Sequence, residues 1–401
     1  MRILLLCNKS PWPPKDGGST ATLNMIRGLS AMNASVTVLA LNTSRHPATI
    51  EEIPEKLKQT VDIKLININT TIDRTELIIN FFLSAKPYNL QRFNSNEFSV
   101  ELAKIIRSKF DIIQIEGLPM YHYLHIIRHN TTVPVVFRPH NIENLIWSRL
   151  ADEENNLIKK LYFTILSRRI KKTEKKIIND FDAVLAISEV DLHWFKNEGL
   201  TKPSLTIVPG YFPGEIVSYP DIDQGKVFFI GALDWLPNVY GLKWFIEKVW
   251  PAIIRKIPAA EFYIAGRNAS EKTIAGLKGP NIIFKGEVDS SSDFIKDKTL
   301  MVVPLFSGSG IRMKIIEGLS HGKCVVATPL AAEGLNYENK KDIYIASGVS
   351  EFADNIIELL LNADRRKEVG ENAVKNVRKN YNILASSDKL MNFYRELLHD
   401  N

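Results

Sequence analysis

The stretch LMVVPLFSGSGIRMKIIEGLSHGKCVVATPLAAEGL, residues 300–335, decides the fold of this chain. It opens with an apolar run over residues 300–305, which predicts a buried strand. A polar, glycine-rich loop follows. Apolar residues then recur with helical spacing over residues 311–321, and this predicts a helix that ends at Gly322. A second apolar run, Cys324–Ala327, predicts another strand, so strand and helix alternate as they do in an α/β domain.

The turn between the first strand and the helix has the features of an anion-binding site. The N–H groups of the loop and of the first helical turn lack partners within the helix and point outward. Two cations, Arg312 and Lys314, stand beside those amides, and the carboxylate of Glu317 follows one turn later. Amides and cations suit a diphosphate, whereas a carboxylate suits the vicinal hydroxyls of a ribose. A strand–helix turn that only reverses the chain is the alternative.

The same stretch resembles the nucleotide-sugar loop of family 4 glycosyltransferases, the retaining enzymes of the two-domain GT-B fold. The matching positions are Glu317, Gly322, Lys323 and the strand at residues 325–328. In most of the family a second Glu stands eight residues before the one that matches Glu317, and Ser309 occupies that place here. The chain is closer to a branch whose loop reads Gly-Ser-Gly, followed by Arg and Lys two residues apart. The departure bears on the contact with the sugar hydroxyls and leaves the nucleotide site in place.

The resemblance implies an α/β architecture of GT-B type, with two Rossmann-like domains that face each other across a cleft. The expected division is an N-terminal acceptor-binding domain at residues 1–210 and a nucleotide-sugar-binding domain at residues 211–380. Residues 381–401 are expected to form a helix that returns to the first domain. The donor-binding residues implied in the loop and helix are Ser309, Gly310, Ile311, Arg312, Lys314 and Glu317.

Three further positions of the second domain belong to the implied donor site. Gly231 ends a predicted strand where the family places the donor phosphates. The Arg that commonly follows this glycine is Ala232 here, so the phosphate role is given to the two cations of the loop. Glu287 and Val288 follow a later predicted strand, at a turn whose backbone often reads the base in this fold.

The N-terminal half predicts a parallel sheet, because short apolar strands alternate with helical segments. After the first strand, three prolines and the pair Gly17 and Gly18 predict an irregular loop, with a helix over residues 21–29. In the resembled family a glycine pair at this place lets the backbone approach the donor phosphates or the acceptor. An ordinary connecting loop is the alternative.

A further apolar run, residues 133–138, ends directly before His140. Ligand sites of open α/β sheets lie beyond the carboxyl ends of the strands. The segment RPHNIEN matches the strand-end histidine of the family, which implies that His140 lies at the catalytic centre. Its implied role is to hydrogen-bond the donor sugar and the developing charge, not to act as a nucleophile. A packed or surface histidine is the alternative.

Two segments of the N-terminal half leave their packing partner open. Residues 147–178 predict one long helix in which basic and apolar residues alternate. Such a helix lies either on an anionic membrane or on the sheet with its basic face in solvent. Residues 78–93 are rich in aromatic side chains; the family places this region near the acceptor, and a helix packed on the sheet is the alternative.

Size and composition favour a two-domain cytoplasmic protein, with the basic helix as a candidate contact with the inner face of the membrane. The 401 residues exceed what one core usually supports. Residues 1–200 hold 26 Lys and Arg against 21 Asp and Glu, but without a nucleic-acid-binding motif, so nucleic acid is not an expected partner. No apolar run approaches the roughly 18–20 residues that span a bilayer. Cys7 and Cys324 lack metal-ligand spacing, which favours reduced thiols.

The implied function is transfer of a hexose, with retention, from a nucleotide-diphosphate sugar to a saccharide or lipid-linked acceptor, in the assembly of cell-surface polysaccharide or another glycan. Catalysis would then be mainly positioning and charge stabilisation. Neither a metal nor another cofactor is expected, since no DxD sequence lies in a suitable loop. The alternatives are a catalytically silent nucleotide-binding protein, which Ser309 favours, and a nucleotide-sugar 2-epimerase, whose acidic and basic residues are not found.

Overall fold

The computed structural model describes residues 1–218 and 225–399. Its contacts divide the chain into two units: the first holds Met1–Pro209 with Ile383–Asn401, and the second holds Gly210–Asn382. Residues 219–224 and 400–401 belong to the predicted second domain and C-terminal helix, and they lie outside the described residues.

The first unit is built on a parallel sheet that has seven strands among the described residues. The strands are β1 Arg2–Cys7, β2 Ser35–Thr43, β3 Val61–Ile68, β4 Ile112–Glu116, β5 Val135–Arg138, β6 Ala183–Ala186 and β7 Ser204–Thr206. They pair in the order β3-β2-β1-β4-β5-β6-β7. The centre of β1, from Ile3 to Leu6, is fully buried, as expected for a parallel strand that is covered on both faces.

Helices cover both faces of this sheet. They are α1 Gly17–Ala31, α2 Glu55–Lys58, α3 Arg74–Leu83, α4 Tyr88–Gln91, α5 Asn96–Ile105, α6 Leu124–Asn130, α7 Glu143–Glu153, α8 Leu157–Ile177 and α9 Glu189–Asn197, with a 3₁₀ turn at Leu118–Tyr123. Successive side chains of a strand point to opposite faces. Accordingly, Leu5 belongs to the same core cluster as Leu23 of α1, whereas Leu4 belongs to another cluster with Phe98 of α5.

The second unit has a parallel sheet with six strands among the described residues. The strands are β8 Lys226–Ile230, β9 Glu261–Ala265, β10 Ile282–Gly286, β11 Leu300–Val303, β12 Cys324–Ala327 and β13 Tyr344–Ile345. The order β10-β9-β8-β11-β12-β13 makes β8 and β11 neighbours. The segment after β8 and the loop after β11 therefore leave the sheet side by side at the carboxyl ends of its strands, where ligand sites of open α/β sheets form.

The remaining helices of this unit flank its sheet. They are α10 Leu236–Trp244, a π-helical turn Phe245–Val249, α11 Trp250–Lys256, α12 Glu271–Ala275, α13 Ser291–Lys296, α14 Met313–Ser320, α15 Val349–Leu361 and α16 Ala363–Asn380, with a 3₁₀ turn at Pro213–Glu215. The end of α14 follows the sequence prediction: Gly322 has a φ of +69°, and the amides of Gly322 and Lys323 donate to Leu319 and Gly318, both at 3.0 Å. These two backbone hydrogen bonds close the helix in a Schellman motif.

The last helix, α17 Ile383–His399, packs within the first unit. It lies against α1 so closely that a Cβ on Gly28 would come within 2.1 Å of the Ser387 hydroxyl oxygen. Its Tyr394 is fully buried in the core cluster that also holds Leu5.

Two helix boundaries of the first unit differ from the sequence prediction. The first helix begins at Gly17 and not at residue 21, because Asp16 caps it by accepting from the Ser19 amide at 2.9 Å. Gly17 and Gly18 therefore belong to its first turn. The long helix predicted over residues 147–178 is two helices, because Asn156 starts α8 afresh by accepting from two amides, each at 3.1 Å.

Residues 78–93 also differ from a single helix packed on the sheet, which is one of the two interpretations of this region. They form the end of α3 and all of α4, and α3 presents several large apolar side chains to solvent, among them Phe82 and Leu83. The sequence could not show this, because its apolar pattern does not reveal which helix faces find a partner.

Candidate active site

His140 lies against a buried carboxylate at the carboxyl ends of two neighbouring strands of the first unit. Glu116 ends β4, Arg138 ends β5, and His140 follows two residues later. The Glu116 Oε2 lies 2.8 Å from Arg138 Nη1 and 2.5 Å from His140 Nε2. The Glu116 and Arg138 side chains are each 1% exposed, whereas His140 is 17% exposed. A buried ion pair thus orients an imidazole that is partly open to solvent.

The electrostatics keep Glu116 ionised. Burial by itself raises the pKa of Glu116, but the Arg138 charge and hydrogen bonds from His140 and Gln114 outweigh burial and lower that pKa to about 2. The Gln114 amide donates to Glu116, and the Tyr394 hydroxyl of α17 donates to Gln114 in turn. The last helix of the chain therefore braces the carboxylate that orients His140.

Sequence reasoning missed Glu116, Arg138 and Gln114. A signal was present, because IIQIE and VVFR are apolar strands that each carry charge at the carboxyl end. Charged residues are almost never fully buried unless they are paired, so two such strands side by side indicate an ion pair. What the sequence does not show is that β4 and β5 are neighbours.

Gly17 and Gly18 lie at the start of α1 beside an ion pair. Lys9 Nζ is 2.6 Å from Asp16 Oδ1, and this contact holds the pKa of the Asp16 carboxyl well below its usual range despite burial. A Cβ on Gly18 would lie 3.2 Å from Lys9 Nζ and 3.3 Å from Asp16 Oδ1. The glycine therefore has a packing reason at this helix start, and the donor role of the pair stays a prediction.

The loop after β11 is held from inside by Arg312. Gly308 and Gly310 have φ values of +118° and +77°, a region that favours glycine. The buried Arg312 guanidinium donates to the carbonyls of Ser309 and Gly310, and it lies 5.8 Å from the ring centre of Trp235. Its backbone is not helical, since α14 starts one residue later.

The predicted start of α14 at Ile311 is therefore wrong by two residues. Ile311 and Arg312 belong to the loop, whose left-handed glycines and internal hydrogen bonds keep the chain out of the helix until Met313. The shift matters for the site. Two side chains two residues apart on a regular helix diverge by about 200°, and a non-helical Arg312 is released from that constraint.

Lys314, in the first turn of α14, is a partly buried cation. Its Nζ donates to Asn238 Oδ1 at 2.9 Å and lies 4.2 Å from the ring centre of Phe229. Burial and the nearby Arg312 charge lower the pKa of Lys314 to about 7. Within residues 1–218 and 225–399, no carboxylate lies within 4.0 Å of this ammonium. The site therefore concentrates positive charge at a helix N-terminus, where an anion is favoured.

Gly231 lies against this ammonium, so the structure brings two of the predicted residues together. A Cβ on Gly231 would lie 2.6 Å from Lys314 Nζ and 3.0 Å from Asn238 Nδ2. Asn238, which sequence reasoning missed, accepts from Lys314 and donates to the Ala232 carbonyl at 2.7 Å. Its signal was a polar side chain directly after Pro237, in the first turn of a mostly apolar helix.

Glu317 lies one turn further along α14 and is half-buried. The Ser291 hydroxyl donates to its Oε1, and burial raises the pKa of Glu317. Glu287 and Val288 lie in the segment directly after β10, and Glu287 is exposed. Their contact with a base stays a prediction.

Two family models cover most of the chain. Residues 15–210 match the model described as Glycosyltransferase Family 4, and residues 224–362 match the model described as Glycosyl transferases group 1. The chain belongs to the family 4, or group 1, glycosyltransferases. A Klebsiella pneumoniae relative, described as an uncharacterized 44.6 kDa protein in cps region, is 25% identical over an alignment of 394 residues, and the match covers 95% of this chain and 96% of the relative.

Solved structures of glycosyltransferases share the fold at low sequence identity. Sucrose-phosphate synthase of Thermosynechococcus elongatus superposes with a TM-score of 0.73 at 14% identity, covering 100% of both chains. Anabaena HepE, in complex with UDP and glucose, gives 0.69 at 14% identity over 99% of this chain and 100% of the other. TarM of S. aureus, in complex with fondaparinux, alpha-GlcNAc-glycerol and UDP, gives 0.70 at 14% identity over 98% and 100%. The two parallel-sheet domains of this glycosyltransferase therefore have the GT-B fold.

Within residues 1–218 and 225–399, no group of three or more His, Cys, Asp or Glu side chains is placed to hold a metal ion. In the same residues every helix is too short or too polar to cross a bilayer.

The contact between Gly231 and Lys314 leads to a first prediction. We expect Gly231→Ala to push the ammonium out of place and to raise the Kd for a nucleoside diphosphate about tenfold, or about 1.4 kcal/mol. Thermal stability should change little, because the displaced atoms are side-chain ends. Gly225→Ala, just before β8, is the matched control, since its added Cβ would have its nearest neighbour at 3.5 Å. Equal Kd values for both variants in calorimetric titration would place the diphosphate elsewhere.

Proposed function

We propose that this glycosyltransferase moves a hexose, with retention, from a nucleotide-diphosphate sugar to a saccharide or lipid-linked acceptor. The observation that carries the proposal is the Lys314 ammonium, partly buried in the first turn of α14 with no carboxylate of the described residues as partner. A cation at a helix N-terminus is unfavourable by a few tenths of a kcal/mol on its own. A bound diphosphate makes the same placement of the cation favourable, because the anion contacts the cation and the helix amides together.

The same cluster suits the chemistry of the leaving group. When the bond from the sugar to the diphosphate breaks, negative charge builds on the phosphate oxygens. Arg312 and Lys314 would offset that charge without a metal ion, and preorganised donors of this kind supply much of the stabilisation in group transfer. UDP in the HepE and TarM structures supports a nucleoside diphosphate as the leaving group.

The acceptor is proposed on indirect grounds. The Klebsiella relative is described by its place in a cps region, which supports a role in cell-surface polysaccharide assembly. The TarM structure holds alpha-GlcNAc-glycerol, a glycosylated polyol. Cys7 and Cys324 are both free and buried, which suits a reducing compartment such as the cytoplasm.

A catalytically silent nucleotide-binding protein is the second candidate. It is favoured by Ser309, which stands where most of the family carries a Glu and which is buried in the loop held by Arg312. A panel of UDP-, GDP-, dTDP- and ADP-sugars distinguishes the two. We expect one of them to be hydrolysed slowly to the nucleoside diphosphate without an acceptor and faster with one, while tight binding without turnover would establish the silent protein.

His140 separates binding from catalysis. We expect His140→Ala to lower kcat about 100-fold, the effect of removing a hydrogen-bond donor aimed at developing charge, and to leave the Kd of the donor nearly unchanged. The control is His129→Ala, which removes an exposed histidine of the same unit. Sugar transfer at the parent rate by His140→Ala would show that this histidine takes no part in catalysis.

Glu317 tests the ribose contact. We expect Glu317→Ala to weaken nucleoside diphosphate binding by about 1.5–3 kcal/mol, the range for a hydrogen bond to a charged group. Glu317→Gln should be milder, because its amide oxygen still accepts. Titration of the parent protein and of each variant with the ribonucleotide and the 2′-deoxyribonucleotide forms a double-mutant cycle, in which the missing hydroxyl is the second change. If the deoxy substitution weakens Glu317→Ala as much as it weakens the parent protein, the carboxylate does not hold that hydroxyl.

A further inference from the structure

The first unit carries an apolar surface that nothing in the described chain covers. Four side chains of α3 and three from the first turns of α8 are more than half exposed. They are Ile78 56%, Ile79 53%, Phe82 76%, Leu83 83%, Leu157 80%, Ile158 82% and Leu161 58%. Single exposed apolar residues are ordinary, but a group of this size marks an interaction site. We refer to these seven residues as the apolar face.

The apolar face rests on an anchored element. Arg169 of α8 donates from Nη2 to the Phe81 carbonyl at 2.7 Å and from Nη1 to the Asn80 carbonyl at 3.3 Å. The Phe81 ring lies 5.8 Å from the ring of Tyr162. One side of α3 is therefore bound to α8, and its other side, which is also apolar, faces outward. From Leu77 to Leu83, α3 is apolar at every position except Asn80. A helix segment that is apolar on both sides normally buries both, so α3 lacks a partner on its outer side.

Basic side chains continue this surface along α8. Beyond Leu161, the exposed members are Arg168, Lys171, Lys172, Lys175 and Lys176. Lys171 and Lys175 pair with Glu198 at 2.7 and 2.8 Å, while the other three form no ion pair within the described residues. Arg168 follows Leu161 by seven residues and therefore lies on the same face of the helix. We refer to Arg168, Lys172 and Lys176 as the basic stripe.

We propose that the apolar face and the basic stripe together bind an anionic lipid membrane. Apolar side chains on a helix that lies flat, continued by unpaired lysine and arginine, are the two features that interfacial helices use. The apolar groups enter the acyl boundary, and each basic residue near an anionic surface adds attraction to the lipid phosphates. Asp152 and Glu153 stand just before the apolar turn of α8 in the chain, and their negative charge would not be attracted to anionic lipid. The electrostatic attraction to the membrane is therefore assigned to the basic stripe. This surface is independent of the proposed sugar transfer.

The test is sedimentation of the full chain with phosphatidylcholine vesicles, with and without phosphatidylglycerol. The parent protein should bind the anionic vesicles and be released by salt. Lys172→Ala with Lys176→Ala should weaken this binding about 30-fold, the loss of two such attractions. Phe82→Ser with Leu83→Ser should weaken it at least about tenfold through lost apolar burial. The parent protein failing to bind, or either double variant binding as the parent does, overturns the proposal.

Matched controls separate the surface from general stickiness. Leu361→Ser removes a 64% exposed leucine of the second unit, and Lys367→Ala with Lys375→Ala removes two exposed lysines there; neither should change vesicle binding.

A dye experiment tests which residue enters the membrane. The native Cys7 and Cys324 are buried, so an environment-sensitive dye attaches selectively at Leu83→Cys or Leu361→Cys. Only the dye at position 83 should shift to the blue with anionic vesicles. A concentration-dependent dimer that Phe82→Ser dissociates, without vesicle binding, would assign the face to a second copy instead.

Discussion

Replacing Glu116 with glutamine should destabilise the first unit by about 3–5 kcal/mol and lower sugar transfer at least about tenfold. The variant keeps the volume of the side chain but removes the charge that faces Arg138 at 2.8 Å, where both side chains are 1% exposed. An unpaired buried guanidinium is the source of the stability loss. The loss of activity has a separate source, because His140 no longer meets an anion at its Nε2.

A second variant separates these two effects. Glu116→Gln combined with Arg138→Met removes both charges, and it should recover much of the stability while transfer stays low. Hydrogen exchange of the peptides that span β4 and β5 reports the stability of this region directly. Full activity in either variant would show that the Glu116 charge does not serve His140. Equal stability of both variants would show that the ion pair is not the source of the loss.

The pH dependence of the same group has a defined sign. The folded pKa of Glu116, about 2, lies below its ordinary value, so the folded state binds fewer protons than the unfolded state between the two values. The ion pair therefore contributes fully above about pH 4.5, and its contribution is lost as pH falls towards 2. In acid unfolding, Glu116→Gln should lose less stability over this range than the parent protein.

Lys314→Met should lower kcat/KM at least about tenfold, a loss of about 1.4 kcal/mol or more, and should raise thermal stability when no nucleotide is present. The first effect follows if the ammonium meets the diphosphate as its charge grows. The second follows because a partly buried cation beside Arg312, at a helix N-terminus, is unfavourable until an anion arrives. If the variant instead loses stability and keeps full activity, Lys314 is a structural residue and the diphosphate binds elsewhere.

The pKa of Lys314 adds a sharper measurement. At a pKa of about 7 the ammonium is half populated at pH 7, so nucleoside diphosphate affinity should fall as pH rises above 7, approaching tenfold per pH unit. Lys314→Arg should remove this dependence, because a guanidinium stays protonated. In the free protein the sign is opposite. The folded state binds fewer protons than the unfolded state between pH 7 and 10.5, so stability rises with pH there. Lys314→Met should show neither trend.

Local patterns in the sequence were enough for the α/β class and for the place of the strand-end residues. Apolar runs of four to nine residues separated by helical segments predict parallel sheets, because both faces of such strands are covered. His140 directly follows such a run, and a strand end needs only the chain next to it to be recognised. The same holds for Gly322, whose left-handed conformation closes α14 through bonds to the residues just before it.

Only the tertiary structure decided which groups meet. Glu116 and Arg138 are 22 residues apart in the chain, and Asn238 and Lys314 are 76 apart. Each pair forms because two strands are neighbours in a sheet, and strand order does not follow from any local pattern. Packing also decided the start of α14, where loop carbonyls hold Arg312, and the exposure of α3. Hydrophobicity shows that a helix face is apolar, whereas only the surrounding fold determines whether another part of the chain covers it.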